Sequence, residues 1–186
     1  MKNLLPFLVL LIGISFANAQ EFQKTDAYQA SIHPIVNDKE HTLFNVSVVL
    51  NDRPETVVTN FRIMSPENIK MISIQSLKQP DLLDVEEIIR MELTYFEPQA
   101  YTISKYVLVK ESGAYIDLPA IVNRKENYPK TETIYVFPNQ ALGQINKIIT
   151  LEITYSDEVS IENIEVIKAF AWQDNFDTSH KVSALY

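Results

Sequence analysis

Few residues in this chain are equipped for chemistry. Three histidines, His33, His41 and His180, are the only imidazoles, and they lie far apart. None stands at H-x-x-x-H spacing and no H-E-x-x-H occurs, so a metal would require His33 and His41 to meet on adjacent strands. Surface or half-buried histidines are the expectation, with no metal and no cofactor. There is no cysteine, hence no thiol nucleophile, thiolate metal site, disulfide or lipoprotein anchor. The three glycines, Gly13, Gly113 and Gly143, are too scattered to cradle a phosphate, and G-x-S-x-G is missing. Ser73, Ser104, Ser112 and Ser160 carry no local signature of an activated hydroxyl.

Carboxylates are the remaining source of acid–base chemistry. Asp84, Glu86 and Glu87 cluster, as do Asp157 with Glu158 and Asp174 with Asp177. Glycoside hydrolysis needs two carboxyls about 5–9 Å apart across a cleft, one of them with a raised pKa. These clusters sit where turns are expected, so water would keep both members ionised and a solvated acidic face is the simpler reading. Hard oxygen ligands would suit calcium, but the D-x-D-x-D-G loop is absent. Asn45-Val46-Ser47 matches a glycosylation acceptor by chance, since it falls inside an expected strand. Aromatics offer another chemistry. Tyr95, Phe96 and Tyr101 surround one tight turn, with Tyr106 further on; Phe170, Trp172 and Phe176 mark the other end of the chain. Rings projecting from a sheet can stack on sugars, though most should fill the core or brace cross-strand pairs.

The first nineteen residues read as an address. Lys2 precedes a nearly unbroken apolar stretch from Leu4 to Ile14, and small residues follow, ending in Ala17-Asn18-Ala19. That is a secretory signal with cleavage between Ala19 and Gln20, and its apolar stretch is shorter than the roughly twenty residues of a membrane span. The segment resembles export signals of Gram-negative Bacteroidetes, a likeness confined to the signal. Its removal leaves residues 20–186, one cation fewer, and a chain more acidic than the full-length charge of −8. An acidic surface repels phosphate backbones, so no nucleic-acid partner is expected, and no membrane span remains after cleavage.

The elements that must position any site are strands. Phe44, Val46, Val48 and Leu50 alternate with Asn45, Ser47 and Val49. Ile89, Met91, Leu93 and Tyr95 alternate with Arg90, Glu92 and Thr94, and Ile149, Leu151, Ile153 and Tyr155 do the same. Period two in Val/Ile/Thr/Tyr-rich runs argues half-buried strands. Prolines such as Pro54, Pro66, Pro80, Pro98, Pro119, Pro129 and Pro138 fall between or at the ends of them. Strands are expected near 26–34, 42–50, 56–64, 69–77, 87–96, 101–111, 114–118, 131–137, 147–156 and 160–172. Short helical turns are expected at 81–86 and 139–145. Two strands, 101–111 and 160–172, are apolar on consecutive positions, so each is either covered on both faces or bulged. Residues 113–130 and the C-terminal tail are the candidate covering layer.

Residues 88–95 match 148–155 at an offset of sixty without a gap, each preceded by a Pro-Asx pair, Pro80-Asp81 and Pro138-Asn139. The likeness predicts that 80–111 and 138–170 are related strand–turn–strand units. Together these features imply an all-β fold: a mainly antiparallel, immunoglobulin-like or jelly-roll-like sandwich of about nine to ten strands in one domain, 20–186. The expected protein is exported, periplasmic or secreted, and non-enzymatic. Its role would be binding, adhesion or structural, with a protein or glycan partner in the cell envelope. No catalytic residue is assigned. The rivals are a carbohydrate-binding module using Trp172 or the Tyr95–Tyr101 turn, and a small secreted hydrolase using paired carboxylates at Glu86 and Glu87.

Overall fold

The computed structural model describes residues 23–35, 43–96, 100–124 and 128–172. Ala19 and Gln20, His41, His180, Asp174, Phe176 and Asp177 lie outside them. The described chain is all β and antiparallel. Its strands are β1 (Gln23–Lys24), β2 (Tyr28–Ile35), β3 (Leu43–Leu50), β4 (Val57–Ile63), β5 (Ile69–Lys78) and β6 (Val85–Tyr95). They continue with β7 (Tyr101–Lys110), β8 (Tyr115–Asp117), β9 (Ile121–Arg124), β10 (Lys130–Val136), β11 (Lys147–Tyr155) and β12 (Ile161–Ala171). Ten of these coincide with the expected strands; β1 and β9 are two further short ones.

Three sheets form. The largest runs β1-β5-β6-β7, and the far edge of β7 is shared by β8 beside Val107–Val109 and β9 beside Tyr101–Ser104. The others are the meanders β2-β3-β4 and β10-β11-β12. Consecutive residues of a strand point to opposite faces, and the two main cores divide accordingly. Ile89, Met91, Leu93 and Val107 pack with Tyr28, Val46, Val48, Leu50, Val58 and Ile63 of the β2–β4 sheet. Ile88, Tyr106 and Leu108, on the opposite face, pack with Tyr135, Phe137, Ile148 and Trp172 from the β10–β12 side. The large sheet is therefore the middle layer.

That layering explains β7. Val107 and Val109 face one core and Leu108 the other, so an unbroken apolar run is required. The cover is supplied by the two three-stranded sheets, not by residues 113–130 as expected. Those residues instead extend the middle sheet through β8 and β9 and add Leu118 and Ile121 to the core. β12 is the bulged case: it is the exposed edge of its sheet, with register shifts opposite Thr150/Leu151 and Thr154/Tyr155.

The expected helical turns at 81–86 and 139–145 do not form. Asp81 and Asp84 take φ of 58° and 60°, and Leu142 and Asn146 take 66° and 54°. Left-handed residues in either segment end a right-handed helix before it completes a turn; the one helical piece among the described residues is a 3-10 turn at Pro66–Asn68. The sixty-residue likeness does have a counterpart. β6 and β11 are each the centre of an antiparallel three-stranded meander, and Ile88 and Ile148 enter the same core. The two Pro-Asx turns touch, the Asn139 amide donating to the Gln79 carbonyl at 2.8 Å.

Candidate functional site

The gap between the middle sheet and the β10–β12 sheet changes character along its length. Cross-strand pairs on this face of β6 and β7 run Ile88/Leu108, Arg90/Tyr106, Glu92/Ser104 and Thr94/Thr102. The first pair belongs to the dry end, where Tyr106 packs edge-on to Tyr135 with ring centres 5.1 Å apart. Beyond Tyr106 the pairs become polar, and hydrogen-bonding groups face the gap in place of apolar ones. Ser104 donates to Glu92 Oε2 at 3.2 Å, and Arg90 donates to Gln75 Oε1.

At its polar end the gap opens into a cleft of about 350 Å³. The ends of β6 and β7 bring Tyr95, Phe96 and Tyr101; Lys70, Arg124 and Lys130 approach from β5, β9 and β10. Glu92 and Glu132 also line it, with Thr94, Thr102 and Asn123. Tyr95 and Tyr101 stack at 4.3 Å between centroids and 16° between planes, and Tyr95, in phase with Leu93, also packs against the β2–β4 core. Phe96 is half exposed. Among the described residues Lys70 and Arg124 form no ion pair, and the Lys130 ammonium sits 5.6 Å from the Tyr155 ring centre. Asn123 holds the walls together: its carboxamide accepts from the Thr133 N–H at 2.8 Å and donates to the Thr133 carbonyl at 2.9 Å, mimicking a strand neighbour across the two sheets. The cleft thus joins aromatic faces, amide and hydroxyl groups and three cations in an otherwise acidic chain.

The residues singled out from sequence fare differently. Tyr95, Phe96 and Tyr101 come together here. Trp172 does not: it is buried in the core, its indole N–H donating to the Leu83 carbonyl at 2.7 Å, and it offers no ring to a sugar. Tyr106 is likewise buried. Burial raises its hydroxyl pKa, and burial with the neighbouring Tyr106 pushes Tyr135 up to about 12.

Glu86 and Glu87 lie at a bulge of β6 and have different surroundings. Glu86 is exposed, whereas Glu87 is buried. Its Oε2 accepts from Tyr28 at 2.9 Å and from Lys78 at 2.7 Å, while Oε1 has no hydrogen-bond partner among the described residues. Burial first, and then the bond to Glu87, hold the Tyr28 hydroxyl well above the usual phenol range. Asp84 pairs with Lys110 at 2.6 Å. Asp157 is a turn residue: its Oδ1 accepts from Val159 and Ser160 N–H, both at 2.9 Å, and these bonds lower its pKa.

Ser73 is half-buried opposite Glu92, and Ser112 and Ser160 are exposed. Asn45 bonds to Ser47 within β3. His33 is exposed on β2, opposite Asn45. Among the described residues no three His, Asp or Glu side chains gather as metal ligands, and no helix is long and apolar enough to cross a membrane.

Sequence reasoning missed Lys70, Glu92, Asn123, Arg124, Lys130 and Glu132. The alternate positions 90, 92 and 94 read as a solvent face, and the polar end of a covered gap has that same pattern. No protein-family model, curated protein or solved structure matches this chain.

Proposed function

We propose that this chain is an exported, non-enzymatic cell-envelope protein with a binding role, and that its ligand sits in the cleft beside Tyr95 and Tyr101. The observation that carries the reading is the composition of that cleft: stacked aromatic rings beside Lys70, Arg124 and Lys130. Ring faces suit the apolar face of a sugar, Thr94, Thr102 and Asn123 suit its hydroxyls, and three cations suit its carboxylates. An acidic glycan is the matching ligand class. In a chain of net charge −8 the local cations would also draw such a ligand to this end of the molecule.

The test is calorimetry of the purified protein with uronic-acid oligosaccharides, using neutral oligosaccharides of equal length as controls. Binding of the acidic series should weaken by at least about tenfold in Arg124→Ala, one lost charge-assisted contact. It should weaken similarly in Tyr101→Ala, through the stacking face. Failure of the wild-type protein to bind any acidic oligosaccharide would remove the glycan reading.

A second reading rests on Glu92 and Glu132, two carboxylates lining the same cleft. A hydrolase would use one as acid and the other as base or nucleophile. Turnover of the same oligosaccharides that disappears in both Glu92→Gln and Glu132→Gln would make the cleft an active site.

A further inference from the structure

The outer edge of β12 is an open row of backbone donors and acceptors. Among the described residues no strand pairs with it, and ten of its eleven residues are exposed. The exposed residues include Ile161, Ile164, Val166 and Ile167, each 41–53% exposed. A long edge with apolar side chains is a template for another strand.

Two further observations say which strand. The first is the bulge. Val166 stands opposite Leu151 and Lys168 opposite Thr150, so Ile167 is an extra residue and the phase of the strand switches there. In consequence Glu165 and Lys168, three apart, lie on one face, while Ile164, Val166 and Ala169 lie on the other with Ile153, Leu151 and Ile149. The second is a charge conflict. Glu165 is directly opposite Glu152, a like-charge pair that destabilises a ladder. Lys168 forms no ion pair among the described residues, its ammonium lying 4.2 Å from the Phe170 ring centre.

We propose that β12 pairs antiparallel with β12 of a second copy of this chain, about a two-fold axis between Val166 and Ile167. In that register each Glu165 faces Lys168 of the second copy, twice by symmetry, and the two bulges oppose each other. Ile164 faces Ala169 and Val166 faces Ile167, apolar against apolar on the same side. Moving the axis onto Val166 or Ile167 opposes side chains of opposite faces, and moving it onto Glu165 opposes two like charges. The two three-stranded meanders become one six-stranded sheet, and each Glu152–Glu165 conflict gains a neighbouring cation. Such an interface is isologous and closes on itself as a dimer.

Sedimentation equilibrium of wild type, E165K, K168E and the double swap E165K/K168E tests this. Wild type and the double swap should dimerise, and each single variant should raise the dimer dissociation constant by at least about tenfold, having like charges face to face. An equimolar mixture of E165K and K168E should restore a dimer, since one edge is then wholly positive and the other wholly negative. Both positions changed are exposed, and far-UV circular dichroism checks that the sheets persist. A monomeric wild type, single variants as dimeric as wild type, or a mixture that fails to associate would each overturn the pairing.

Discussion

Glu87 shows how a carboxylate becomes structural. It lies on the middle sheet but faces the β2–β4 layer, where it takes the Tyr28 hydroxyl and the Lys78 ammonium on one oxygen. Lys78 is 58% exposed, so water shares that contact, and the buried phenol–carboxylate bond carries more of the value. We expect Glu87→Gln to lower stability by about 1.5–3 kcal/mol, the range for a hydrogen bond to a charged group. Lys78→Ala should cost under about 1 kcal/mol. Urea melts of both variants check the ranking; equal effects would mean that the ion pair, not the Tyr28 bond, anchors the carboxylate.

At the scale of elements, the connections decide how the sheets meet. The loop between β10 and β11 folds back so tightly that a Cβ on Gly143 would stand 2.2 Å from the Phe137 carbonyl oxygen and 2.7 Å from that of Pro138. Both obstacles are backbone, so relief requires the turn to move, and with it Phe137 and Asn139. Gly143→Ala should therefore destabilise by more than about 2 kcal/mol, well above the ordinary cost of a surface substitution. A thermal melt shifted by less than a few degrees would contradict this.

Asn123 plays the corresponding part at the other end. Replacing it by Ala leaves the Thr133 N–H and carbonyl without their bridge and loosens β9 from β10. The expected cost is about 1–3 kcal/mol, with weaker binding in the cleft as a second readout.

For the molecule as a whole, buried phenols predict an alkaline limit. Tyr28, Tyr106 and Tyr135 are all raised, chiefly by burial, and Tyr135 to about 12. A phenol that holds its proton more tightly when folded adds stability that is complete below the unfolded pKa of about 10. That stability drains away as pH climbs from there through the folded values. From neutral pH upward, the phenols should leave denaturant melts unchanged to about pH 10 and make them fall steeply above it, with tyrosinate absorbance rising cooperatively as the sheets unfold. Titration of every tyrosine near pH 10 in a protein that stays folded would contradict the burial. Export makes a separate prediction at this scale: intact mass of protein recovered from the producing cell's periplasm or medium should begin at Gln20, and a mass retaining Met1–Ala19 would make the segment an anchor.

Ten of the twelve strands in the described residues were legible because most alternate locally and all are apolar runs punctuated by prolines and turn residues, properties that need no tertiary partner. The consecutive apolar residues at Val107–Val109 and Val166–Ile167 even announced the two ways of breaking that alternation. They could not announce which strand was covered and which bulged, because a residue's neighbours across a sheet are distant in the chain. The same limit hid the cleft. Glu92 and Thr94 face a covering sheet, and Asn123, Arg124 and Lys130 join them only because β9 and β10 meet across two sheets. The burial of Trp172 was equally out of reach, since Leu83, whose carbonyl takes its indole N–H, lies 89 residues away. Composition and period are local and set the class of the fold; layering, burial and the meeting of charges depend on long-range pairing, and only the tertiary structure decides those.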